Sequence, residues 1–162
     1  MRKGKRKQMK ALTLVVLLVV VLIGSLLFVG AVSGWFDDPK MVLDAEYYSG
    51  ESEIMELSAS KYDELVGKKK SFVVFVNQTG CTTADKLRGF VTEWAKEVGV
   101  KVYEMMFSEV KECSLHDNVK HYPSVVVVSK GKPVGYLRTD SDEDADAYNE
   151  YEAFKVWIGK YL

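Results

Sequence analysis

The stretch Ser71-Phe-Val-Val-Phe-Val-Asn-Gln-Thr-Gly-Cys81-Thr-Thr-Ala84 decides how this chain is read. Residues 72–76 are apolar on both faces, as in a parallel strand covered from both sides. A short polar loop follows, then a single cysteine, then a helix. In that helix Ala84, Leu87, Phe90, Val91, Trp94, Ala95 and Val98 recur at the helical spacing, and Gly99 stops it. Cys81 therefore stands at or just before the first turn of a helix over 82–98. Free backbone N–H groups and the positive end of the helix dipole stabilise a thiolate there. That makes Cys81 the candidate nucleophile. Thr82 and Thr83 add hydroxyl donors beside it, and Lys86 and Arg88 follow within two turns on outer faces. The competing reading of Cys81 is a small hydrophobe closing the strand.

Outward from this unit the pattern alternates. Residues 53–57 suit a short first strand and 58–66 a helix capped by Ser58 or Ser60. Residues 100–107 suit the next strand, and 108–119 a broken helical or irregular segment. Residues 124–128 form a strand of high β-propensity. Lys130-Gly131-Lys132 turns it into a partner strand over 133–138. A last helix over about 146–161 buries Tyr151, Phe154, Trp157, Ile158 and Tyr161. Two strand–helix–strand units imply parallel pairing, and the late hairpin adds antiparallel strands. The fold class is α/β, a mixed central sheet flanked by helices.

The N-terminus differs in kind. Residues 1–10 carry Arg2, Lys3, Lys5, Arg6, Lys7 and Lys10 and no acid. Residues 11–32 are almost wholly apolar, and at about 1.5 Å per residue a helix of that length spans roughly 33 Å, near a bilayer's hydrocarbon thickness. The core of a cleaved signal peptide is shorter. The reading is one N-terminal transmembrane helix over 11–32, anchored in the lipid bilayer after a basic cytoplasmic segment. Cleavage near Ala31-Val32-Ser33 is the alternative. The basic start places the N-terminus in the cytoplasm and the C-terminal domain outside it, in a compartment that favours disulfides. Residues 33–52 then serve as a juxtamembrane linker with Trp35 and Phe36 as interfacial anchors, and 53–162 as the folded domain.

Of 22 bases and 23 acids, the six N-terminal bases belong to the anchor, which leaves 16 against 23, a net of −7. Such a balance argues against nucleic acid as a partner. The acidic run Asp140-Ser-Asp142-Glu-Asp144-Ala-Asp146 has acids at alternate positions, as a calcium loop does. Ala145 stands where that loop needs glycine and Tyr151 where it needs a bidentate glutamate, so a charged turn is the better reading. His116, His121 and the two cysteines match no zinc spacing. No metal and no cofactor are expected. Asn77-Gln78-Thr79 fits a glycosylation sequon by pattern alone.

Tyr122-Pro123-Ser124 is the second signal. Proline before four valines suits the opening of a strand, and an X–Pro bond is the kind that tolerates the cis form. With this residue in view, the chain resembles the thioredoxin-like family over roughly 55–162. The match rests on 72–76 leading to Cys81, the helix after it, the strand over 100–107, Tyr122-Pro123 before 124–128, the Gly131 turn and the last helix. Membrane-tethered members with a diverged N-terminal strand look most similar. The resemblance implies that Cys81 is the nucleophile, that Pro123 is a cis proline facing it, and that the backbone of Tyr122 docks an extended substrate, with Thr82 and Thr83 nearby. Peptide or protein thiols and disulfides are the implied partners.

The departures bear on chemistry. The family's second active-site cysteine is here Ala84, so the motif reads Cys81-Thr82-Thr83-Ala84. The aromatic before the first cysteine is Gly80. The buried acid beneath the site falls at Phe75, with Glu104 on the neighbouring strand as a substitute. Cys113 is the one other cysteine. It either resolves an adduct at Cys81, locks Cys81 in a static disulfide, or is a separate buried thiol. Two function classes follow: a monothiol exchange or isomerase enzyme acting through Cys81, and a non-catalytic binding module of secretion or envelope assembly. The state of the two cysteines discriminates between them.

Overall fold

The computed structural model describes residues 19–21, 40–48 and 50–162. The chain divides into two units, Met1–Pro39 and Lys40–Leu162. In the first, Val19–Val21 are helical and exposed. The basic segment 1–10, the rest of the expected span over 11–32 and residues 33–39 lie outside the described residues. Among those described, no helix is long and apolar enough to cross a membrane.

The second unit begins earlier than residue 53. Leu43 and Tyr47 are buried in the core. The backbone N–H of Asp44 donates to the Ser71 carbonyl, and that of Ser71 donates to the Asp44 carboxylate. Met41 N–H donates to the Tyr161 carbonyl at 2.7 Å, so the start of the unit is tied to its end. The part of the expected linker from residue 40 is therefore packed against the domain.

The sheet has five strands: β1 (Glu53–Glu56), β2 (Phe72–Asn77), β3 (Lys101–Met106), β4 (Ser124–Ser129) and β5 (Lys132–Tyr136), in the order β1-β3-β2-β4-β5. β3 runs parallel to both β1 and β2, while β4 is antiparallel to β2 and to β5. The central pair explains its own composition. All of Phe72–Val76 and Val125–Val128 are fully buried, because layers cover both faces.

Helix α1 (Ala59–Gly67) connects β1 to β2, and α2 (Thr82–Val98) connects β2 to β3. Ser58 caps α1 through its hydroxyl, accepting from the Lys61 N–H. α2 ends at Gly99, whose φ of 69° is the left-handed conformation of a C-terminal glycine stop. Tyr47, Tyr62, Phe72 and Tyr103 pack edge-on or tilted on one face. Leu87, Val91 and Trp94 of α2 join the buried core.

After β3 come a short helix α3 (Phe107–Val110) and a 3-10 turn (Ser114–Asp117), the irregular segment the sequence suggests. The C-terminal helix departs from expectation. It is two helices, α4 (Ala145–Asn149) and α5 (Tyr151–Ile158), broken where Glu150 adopts φ −132° and ψ 128°. Phe154, Trp157 and Ile158 fill the core from α5.

Candidate functional site

The parallel strands β2 and β3 end on one side, and the polar segment after β2 lies there. Cys81 is the N-cap of α2, with φ −106° and ψ 116°. Its carbonyl accepts from the N–H groups of Ala84 and Asp85, at 2.9 and 3.2 Å, so its backbone starts the helix. Its side chain makes no capping bond. The thiol is free and half-buried. Gly80, at φ 76°, turns the loop into this position, a conformation that an aromatic residue adopts only with strain.

The Tyr122–Pro123 peptide is cis. Pro123 is buried and stands immediately before β4. The two sequence signals meet at one cavity of about 390 Å³. Cys81, Thr83, Tyr122 and Pro123 form part of its wall; Thr139, Ala145, Tyr148 and Asn149 complete it. Thr82 is exposed and does not line it.

The far wall was not legible from motifs. Buried Tyr148 places its phenol 2.8 Å from the Pro123 carbonyl and 2.9 Å from that of Leu137, donating its one proton between them. Burial raises its phenol above the ordinary tyrosine range, so it keeps its proton and remains a donor. Ser124 also donates to the Leu137 carbonyl, at 2.7 Å. Tyr148→Phe is expected to cost about 1–3 kcal/mol, the usual loss when a buried carbonyl is left unpaired, read as a lower melting midpoint.

Cys113 does not join this cavity. It is buried and free, and its Sγ lies 3.6 Å from the Val110 carbonyl as a donor. Burial raises its thiol above the ordinary range, which keeps it protonated. Both thiols are free, which fits the separate buried thiol among the three alternatives for Cys113 and not the static disulfide.

Beneath the site, Phe75 is fully buried and pairs in register with Glu104. Glu104 accepts from Asn77 at 2.7 Å and from the Arg88 guanidinium. Asn77 uses its amide here and is partly buried, which speaks against it as a glycan acceptor. Asp140, in the acidic run, pairs with Arg138 and lies 3.3 Å from His121. Arg138 holds its carboxyl below the usual carboxylate range.

Sheet order, crossover helices and the cis proline lining one cavity with the cysteine at a helix N-cap define a mixed α/β thioredoxin-like fold. Solved thioredoxins share it. A Schistosoma mansoni thioredoxin pre-protein superposes with a TM-score of 0.52 at 18% identity, covering 68% of this chain and 99% of that one. Oxidised Plasmodium falciparum thioredoxin gives 0.51 at 21% identity, covering 67% of this chain and 98% of that one. No family model matches the chain, and no curated protein does.

Proposed function

We propose that this is a monothiol exchange protein whose Cys81 thiolate attacks disulfides of extended peptide or protein substrates. The observation that carries the reading is the free thiol, unused in capping, in the same cavity wall as cis Pro123. The Cys81 sulfur bonds to one sulfur of the substrate disulfide. The other leaves as a thiolate and takes up a proton. The adduct is released when the freed substrate thiolate, or an external thiol, attacks it. Ala84 supplies no local attacker, and buried, protonated Cys113 is poorly suited to that role. Each cycle then reshuffles disulfides without net oxidation, which favours isomerase-like work over reduction. Incubation with a disulfide-bonded model peptide tests this: mass spectrometry without reductant should find a mixed disulfide at Cys81. Absence of any adduct would refute it.

The same proposal holds the domain outside the cytoplasm on a membrane anchor over 11–32. The basic start and the apolar run support this. The protein should stay with membranes after carbonate washing, and protease added to spheroplasts should remove the domain. Recovery of a soluble chain beginning near Ser33 would contradict the anchor.

A further inference from the structure

We infer that the Glu104 carboxylate is a positioning group for Cys81, a staple that closes the segment 77–88 on itself. The inference rests on the exchange reading above only for its functional consequence.

Asn77 is the last residue of β2, where the chain leaves the sheet for Cys81. Arg88 lies within α2, where the chain has passed Cys81. One carboxylate from a different strand holds both. Glu104 Oε1 accepts from Asn77 Nδ2 at 2.7 Å and from Arg88 Nε at 3.2 Å. Its Oε2 accepts from Arg88 Nε at 3.2 Å and from Nη2 at 3.0 Å. The guanidinium fork thus meets both oxygens, the arrangement that fixes direction as well as distance. Glu104 itself is well placed to be fixed. Its side chain is 15% exposed, and its backbone carbonyl accepts from the Leu57 N–H at 2.8 Å.

Within that segment Ala84 and Leu87 seat the first turns of α2 in the core, and the loop before the thiol carries the fewest constraints. Residues 78–80 form no strand or helix, and Thr79 and Gly80 are exposed. Cys81 has no side-chain cap bond. The direction in which its sulfur points into the cavity therefore depends on where Asn77 and the first turns of α2 stand. Phe75, in register beside Glu104, contributes no polar contact. With both oxygens occupied, Glu104 serves as a fixed acceptor and not as a proton carrier for the thiol.

The test uses the full-length chain in detergent micelles with Cys113→Ala, so that Cys81 is the one reacting thiol. Three variants weaken the staple: Glu104→Gln at its centre, Arg88→Lys, which keeps charge but loses the fork, and Asn77→Ala at its other end. Two quantities are read well below the melting midpoint. The first is hydrogen exchange of the amides at 78–81. The second is the rate at which Cys81 reacts with neutral iodoacetamide across pH. The staple predicts faster exchange in all three and a rate lower on the order of tenfold, as misplaced reacting groups show. Arg88→Lys combined with Glu104→Gln should be no worse than either alone. Unchanged amide exchange in folded variants overturns the inference. So does a rate loss confined to Glu104→Gln, which would make Glu104 a proton acceptor. If wild-type Cys81 does not react, the exchange reading fails, while the amide measurement still decides the staple.

Discussion

Cys81→Ser is expected to remove every mixed disulfide the protein forms, from the dominant trapped species to none. Serine keeps the size and the helix start but is not a thiolate nucleophile. Cys113→Ser should leave trapping intact, since that thiol is buried, protonated and turned toward the Val110 carbonyl. Gel mobility without reductant, with mass spectrometry of the adduct, distinguishes the pair. Trapping that survives Cys81→Ser and vanishes with Cys113→Ser would reverse the assignment.

Ala84→Cys should convert trapping into turnover. Residue 84 lies one helical turn after Cys81, where side chains three apart stand about 5–6 Å from each other. Helix geometry puts Cα atoms three residues apart at about 5 Å, within the roughly 4.4–6.8 Å that a disulfide spans. Ala84 is fully buried, so the new thiol attacks from within the protein. An intramolecular attacker outcompetes dilute external thiols, and release of the adduct should quicken on the order of tenfold or more. Reduction of insulin-type disulfides, followed by turbidity, should rise with it. The gain stays below that of a complete dithiol site because Phe75 offers no proton acceptor beneath the thiols. If wild type already turns over rapidly and Cys113→Ala stops it, Cys113 is the resolving thiol and the monothiol account is wrong.

The features legible in the sequence are those written in local pattern. β2, the thiol at its helix start, the Gly99 stop and the β4–β5 hairpin each depend on neighbours within a few residues. Pro123 was readable as a strand opening, and the family resemblance supplied the expectation of a cis bond. What escaped depends on contacts distant in sequence. Leu43 and Tyr47 show no extended period, yet Tyr47 packs against Phe72 and Tyr103 and both residues enter the core. The break at Glu150 interrupts a helical stripe that looks continuous, and just before it Tyr148 reaches the Pro123 and Leu137 carbonyls. Thr139, Tyr148 and Asn149 sit within or beside an acidic run whose pattern suggests only a solvated turn. Their role in the cavity wall follows from tertiary folding alone.

The central claim is that the fold makes Cys81 a working nucleophile, and its alkylation rate against pH tests this most directly. The comparison is between the native Cys113→Ala chain and the same chain in denaturant. The account predicts that native Cys81 reacts faster than the unfolded thiol near neutral pH, because the residue stands at the start of α2, where backbone N–H groups lack intrahelical partners. A native profile that coincides with the unfolded one would contradict it.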